Sequence, residues 1–239
     1  MSKEQGIKNM KQRAMINDQL SMFDSQQEKN KEQLTTRTQK RETGTNKKRL
    51  AIFASGTGSN TQQIINHFTS PSSVATVTLI VCNKTGAGVL QIGEKEGIDN
   101  LLIDRERFFN GDAYLPVLQE AKIDLIVLAG FLWKIPLLLI HFFPERIINI
   151  HPALLPKYGG VGMYGNKLHK AVINAEETKS GITIHYVDEH YDEGDIIFQA
   201  TCDVLPGDTP EVLAQRIHQL EHQHYPMVIE KIIRNFNAS

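Results

Sequence analysis

Very little in this chain marks a secreted, membrane or metal-binding protein. Only two of its 239 residues are cysteine, Cys82 and Cys202. Two thiols this far apart lack the paired spacing of a zinc site and are too few for a disulfide framework. Both lie in strand-like apolar runs, so free thiols in a reducing cytoplasm are expected. No apolar run is long enough to span a bilayer. The first residues lack the apolar core of a signal peptide. The net charge of -1 supplies no general attraction to nucleic acid. Neither nucleic acid nor a membrane is therefore an expected partner. No internal repeat is visible. What is present is a hydrophobic content of 41%, enough for a sizeable core at this length.

The near-neutrality conceals an asymmetry. Residues 1–49 carry 12 Lys/Arg and 6 Asp/Glu, whereas the remainder carries 14 and 21. Residues 1–48 are rich in Gln, Lys, Asn and Thr, and their apolar residues thin out after Phe23. Such a segment cannot bury enough surface to order itself. It reads as a basic, polar, disordered extension, with at most a short helix over residues 9–23. Interspersed acids favour a solvated tail over a nucleic-acid arm. Residues 49–239 read as the folded domain.

From Leu50 the pattern becomes regular. Apolar runs at residues 50–54, 77–82, 101–103, 125–129 and 146–150 read as strands. Helical segments up to residue 68 and over 88–96, 113–121 and 136–143 separate them. Continuous rather than alternating apolar strands indicate a parallel sheet buried on both faces. Beyond it come a helix over 167–175, two strands at 182–187 and 196–204 that read as an antiparallel hairpin, and a long helix from Pro210 to about residue 236, bent at Pro226. The fold class is thus α/β: a mostly parallel Rossmann-like sheet with helices on both faces. Ligands in such sheets bind beyond the carboxyl ends of the strands.

Two segments occupy those ends. The loop from Ser55 through Gly56, Thr57, Gly58 and Ser59 to Asn60 joins a strand to a helix, where glycines and exposed N–H groups attract an anion. It lacks the Gly-Lys-Ser/Thr ending of an NTPase loop. Asn83 stands at the end of the second strand, where a dinucleotide site has an acid. A single phosphate fits better than ATP or NAD. The second segment is Asn149-Ile150-His151-Pro152, in which a strand ends with an amide and an imidazole two residues apart and hence on one side. Such a pair polarises a carbonyl, stabilises the oxyanion it becomes, and moves a proton.

Other polar residues leave alternatives open. The acidic loop over residues 187–195 is either a charged hairpin connection or the source of a carboxylate for His151. Glu221 borders the buried stripe formed by Leu213, Ile217, Leu220 and His224. It is a structural partner or the receptor of a substrate amine. His218 and His222 are four apart but lack a third ligand, so they read as surface histidines and no metal site is expected. His185 reads as a satisfied core residue.

Together these residues resemble the phosphoribosylglycinamide formyltransferase family over residues 49–234. The resemblance rests on the 55–60 loop, Leu128-Ala129-Gly130-Phe131, Asn149-Ile150-His151-Pro152 with Leu154-Leu155-Pro156, His185 with Asp192-Glu193-Gly194, and Gln219-Leu220-Glu221-His222 before Tyr225-Pro226. It implies transfer of a formyl group from the co-substrate 10-formyltetrahydrofolate to the amine of glycinamide ribonucleotide, in residues 49–239 as the catalytic domain, by a monomer or homodimer without a metal. Gly58, Ser59 and Asn60 would hold the ribose phosphate, and Glu221 the amine. Asn149, His151 and Asp192 would be catalytic: His151 the proton donor, Asp192 the residue that raises its pKa. Leu132, Trp133, Lys134 and Ile135, with Asn149 and Asp192, would hold the folate.

The chain departs from that family in places. Trp133, and a position near Gly111, stand where some relatives have Arg. Trp133 either stacks on the ligand or caps the sheet, and Lys134 is a candidate to replace a lost charge. The segment 158–165 is unusually rich in glycine. Related readings are formyltetrahydrofolate hydrolase, for whose regulatory domain residues 1–48 are too short and polar, and methionyl-tRNA formyltransferase, whose C-terminal nucleic-acid-binding domain is not expected here. A phosphosugar-binding protein with an inert site is the reading outside enzymes.

Overall fold

The computed structural model describes residues 47–110 and 113–236. The basic extension up to residue 46, with its short helix, and Gly111 lie outside the described residues. β1 (Lys48–Ala54), β2 (Ala75–Cys82), β3 (Asp99–Leu102), β4 (Leu125–Leu128), β5 (Ile147–His151), β6 (Lys179–Tyr186) and β7 (Ile196–Asp203) form one sheet in the order β3-β2-β1-β4-β5-β6-β7. The helices are α1 (Ser59–His67), α2 (Gly88–Glu96), α3 (Arg105–Asn110), α4 (Leu115–Glu120), α5 (Leu137–Phe142), α6 (Gly165–Asn174) and α7 (Pro210–Phe236).

The first five strands pair in parallel, whereas β6 joins β5 antiparallel and β7 joins β6 antiparallel. Both faces of the sheet are covered, as the continuous apolar strands require. Leu50, Ile52 and Ala54 share a core with Ile64 of α1, Val89 of α2, Leu168 and Val172 of α6, and Leu213, Ile217 and Ile229 of α7. Phe53, on the other face of β1, packs edge-on against Phe131, which in turn meets Phe108 of α3.

Two details differ from the sequence reading. β1 begins at Lys48, so that residue belongs to the fold and not to the extension. Its N–H donates to Val74 O, its ammonium meets Asp124, and the Arg49 N–H donates to the same carboxylate. α3 was not expected, because six residues are too few to display a helical period. Asp104 starts it by accepting the Arg107 N–H, as a helix-capping side chain does. The long helix α7 runs unbroken through Pro226.

The strand order turns back beside β1: the chain first builds outward through β2 and β3, then returns to place β4 on the other side. The crevice between the ends of β1 and β4 is the binding position in such sheets. α7 crosses beneath it. Its fully buried Tyr225 hydroxyl donates to Leu128 O at 2.9 Å, and also approaches Ile148 O, so this helix is pinned to β4 and β5. No helix among the described residues is long and apolar enough to cross a membrane.

A chain lacking residues 1–46 is expected to melt within about 3 °C of the full chain, because a change below roughly 1 kcal/mol shifts the midpoint of a domain this size by only that much. Extending the deletion through Lys48 and Arg49 removes the contacts to Val74 and Asp124 and should lower the melting temperature measurably; thermal unfolding followed by circular dichroism checks both.

Candidate active site

A cleft of about 630 Å³ opens at the switch point. The sequence-predicted Gly58, Ser59, Asn60, Leu132, Asn149, His151, Asp192 and Glu221 all line it. At one end is the start of α1. Gly58 precedes the helix with φ +83° and no side chain caps the first turn, so the leading N–H groups have no partner within the helix. A side chain at Gly58 would collide with Ile92 and Val89 of α2. This is a backbone anion cradle, strengthened by the helix dipole. The Asn60 side chain is used differently: its Nδ2 donates to Glu221 Oε2 at 2.9 Å, joining the loop to α7. Glu221 is 6% exposed, and burial raises its carboxyl above the usual range while Asn60 and His218 draw it back.

At the other end Asn149 and His151 point into the cleft together, as the two-residue strand period requires. Across the antiparallel ladder Asn149 faces His185. His185 donates from Nδ1 to Tyr186 O (2.8 Å), which leaves Nε2 as an acceptor for Asn149 Nδ2 at 3.1 Å. That contact turns the amide's NH₂ in a fixed direction and leaves its second hydrogen for a ligand. His185 is therefore more than the satisfied core residue expected; the signal was its position opposite Asn149, which a sequence shows only once the register is known.

His151 is 4% exposed and donates from Nε2 to Tyr158 O at 2.9 Å. Its Nδ1 faces Asp192 Oδ2 at 3.5 Å, beyond a hydrogen bond but within reach of an ion pair. Asp192 comes from the acidic loop, with φ +58°, and accepts the Gly160 N–H at 2.9 Å. Glu189, Glu193 and Asp195 of the same loop are exposed, so one carboxylate serves the cleft and the rest form a charged hairpin connection. The expectation that Asp192 raises the His151 pKa holds only as a partial effect. Burial lowers it more than Asp192 and the Tyr158 carbonyl raise it, so the net shift is downward and the resting imidazole is neutral. In this neutral form Nε2 carries the proton given to Tyr158 O, and Nδ1 is the nitrogen open to accept one.

The remaining predicted residues, Trp133, Lys134 and Ile135, line a smaller adjoining pocket of about 80 Å³, together with Asn149, His185 and Asp192. Trp133 sits 5.8 Å from the rings of both Phe108 and Phe109, in an aromatic cluster capping this end of the sheet. Lys134 lies over the Tyr191 ring at 5.6 Å. His218 lines the mouth of the large cleft and is exposed, whereas His222 is half-buried. Among the described residues no group of three His, Cys, Asp or Glu side chains is arranged to hold a metal. One cleft residue escaped the sequence reading altogether: His169 of α6, 4% exposed, whose Nδ1 is sealed without a partner. A buried polar atom left so costs about 1–3 kcal/mol.

An anion cradle at the switch point of a parallel sheet, facing an amide–imidazole–carboxylate cluster, defines an α/β enzyme of the group-transfer class. Residues 48–229 match the formyl transferase family, and the chain belongs to it. It is 41% identical over 191 residues to a chloroplastic phosphoribosylglycinamide formyltransferase of Arabidopsis thaliana, covering 78% of this chain and 65% of that one. It is 36% identical to the Bacillus subtilis phosphoribosylglycinamide formyltransferase, covering 78% and 95%. The chain thus spans somewhat less than two thirds of the plant relatives, 61% for that of Vigna unguiculata, and nearly all of the bacterial one. The crystal structure of phosphoribosylglycinamide formyltransferase from Bacillus halodurans superposes with a TM-score of 0.70 at 34% identity, over 78% of this chain and 95% of that one. The Anaplasma phagocytophilum enzyme of the same name gives 0.72 at 33%, over 78% and 87%.

The charge state of His151 is directly measurable. Its imidazole resonances in a nuclear magnetic resonance titration should show a midpoint below the ordinary 6.5 of histidine. Asp192→Asn removes the one carboxylate that raises this pKa, so the midpoint should move to still lower pH. A midpoint above 6.5, or an upward move in the Asn variant, would contradict this electrostatic account.

Proposed function

We propose that the protein is a phosphoribosylglycinamide formyltransferase. In this reading it transfers the formyl group of 10-formyltetrahydrofolate to the amine of N1-(5-phospho-D-ribosyl)glycinamide. The products are the N2-formyl derivative and tetrahydrofolate, a step of purine (IMP) biosynthesis. The observation that carries the reading is the distribution of chemistry along one cleft, with an anion cradle at one end and Asn149, His151 and Asp192 at the other. The named relatives support it. The reaction is assigned to the cytoplasm, where the free Cys82 and Cys202 would stay reduced, and to residues 48–239 as the catalytic domain, acting as a monomer or homodimer.

The ribonucleotide's phosphate would take the N–H groups of Gly58, Ser59 and Asn60. Its amine must reach the formyl carbon beside Asn149 and His151. Glu221, tied by hydrogen bond to Asn60 of the cradle, is then suited to the ribose and not to the amine role expected from the sequence. The formyl donor would lie against the Leu132–Ile135 segment and the Asp192 loop. The 80 Å³ pocket there is too small for a bicyclic ring, so the exposed Lys134 and Tyr191 side chains would have to swing aside to admit it.

In the transfer the amine nitrogen bonds to the formyl carbon. The free N–H of Asn149 holds the oxygen as charge gathers on it. The amine loses a proton, which neutral His151 accepts at Nδ1, and Asp192 then pairs with the imidazolium. The same proton leaves with the departing folate nitrogen as its bond to carbon breaks. Holding the two substrates in this geometry supplies much of the acceleration.

The decisive assay mixes protein, glycinamide ribonucleotide and formyl donor, and follows release of the deformylated folate. Release should require the ribonucleotide. Release without it would instead indicate the hydrolase, and none at all the inert binding protein. Asn149→Ala and His151→Ala should each lower turnover by about a hundredfold or more while leaving the melting temperature near that of the parent.

A further inference from the structure

The wall of the cleft between α6 and α7 contains histidines that the transfer chemistry does not use. His169 lies in the second turn of α6, 4% exposed, with its ring against the cleft and Nδ1 without a partner. His218, on α7, is close enough to depress the His169 pKa further below where burial has put it. His218 also stabilises the charge of Glu221, one helical turn further along the same face. Glu221 is in turn bonded to Asn60 of the anion cradle. His169, His218, Glu221 and Asn60 therefore follow one another along a continuous wall that ends at the phosphate position.

We propose that His169 is a substrate-binding residue, its Nε2, the ring nitrogen not sealed in the interior, hydrogen-bonded to a hydroxyl of the pentose and setting the affinity for the ribonucleotide. The inference rests on the ribonucleotide reading given above. With the phosphate on the cradle and the amine beside Asn149 and His151, the sugar is the part of the substrate that spans the distance between them, and this wall is what it crosses. A neutral imidazole suits a hydroxyl, which both donates and accepts, better than a phosphate, which would draw a proton onto the ring. The ring is 4% exposed on a helix whose buried residues include Leu168 and Val172, so little freedom is lost when the sugar arrives.

The test replaces the ring by one of similar size without polar atoms. His169→Phe should raise KM for the ribonucleotide about tenfold or more, with kcat changed by less than about threefold and KM for the formyl donor unaltered, as loss of a ground-state contact requires. Calorimetric titration should show a matching loss of affinity for ribose 5-phosphate but not for inorganic phosphate. His169→Asn, whose amide still reaches a hydroxyl, should recover part of both, and it carries the test if the Phe variant melts far below the parent. Unchanged KM and unchanged ribose 5-phosphate affinity in a folded variant would overturn the proposal. Equal weakening toward ribose 5-phosphate and phosphate would overturn it too, since the contact would then be to the anion. If the parent does not formylate the ribonucleotide at all, the functional reading fails by itself, and the ribose 5-phosphate titration still decides whether His169 holds a pentose.

Discussion

The antiparallel docking of β6 against β5 is the constraint on which the site depends. A sixth parallel strand would need a crossover and would carry its C-terminal loop to the same end of the sheet as the others. By reversing, β6 instead starts beyond the carboxyl end of β5, passes His151 with Thr183 and Asn149 with His185, and ends opposite Ile148 with Tyr186. The loop that follows leaves beside Ile147, to whose O the Val187 N–H donates, and folds back to set Asp192 3.5 Å from His151 and 3.7 Å from His185. One reversal of strand direction thus supplies both partners of the Asn149–His151 pair. Thr183, opposite His151 on the same ladder, accepts the Leu155 N–H and donates to Ala153 O, fixing the path of the chain just after the strand.

The electrostatics of the cleft follow from burial more than from pairing. His151, His169 and His185 are each less than 5% exposed, and in all three removal from water disfavours the imidazolium. At His151 and His185 Asp192 opposes this without overcoming it. Two neutral imidazoles beside one carboxylate can accept and pass on a proton without first having to lose one.

Much of this was legible from residue order. The spacing of Asn149 and His151 revealed a shared side because a strand has a period of two, and the glycines of the 55–60 loop marked the turn from strand into α1 because their position there has a physical meaning. The hairpin of β6 and β7 was legible from its short connection. What stayed hidden depended on tertiary arrangement. The choice for Trp133 between stacking on a ligand and capping the sheet turned on Phe108 and Phe109, which belong to the unexpected α3. The net direction of the His151 shift needed its depth of burial. The tie between Glu221 and Asn60, on which the proposed ribose role of Glu221 rests, joins residues that no local pattern connects.

That tie has a consequence for the birth of the protein. Asn60 and Glu221 are 161 residues apart in the chain, and α7 also carries Ile217, Tyr225 and Ile229 into the main core. A ribosome that has completed the sheet through β7 has made the 55–60 loop, the Asn149–His151 pair and Asp192, yet the floor and one wall of the cleft are still missing. The cleft is therefore incomplete until α7 has emerged and docked. Termination before α7 yields a chain whose core lacks Ile217, Tyr225 and Ile229.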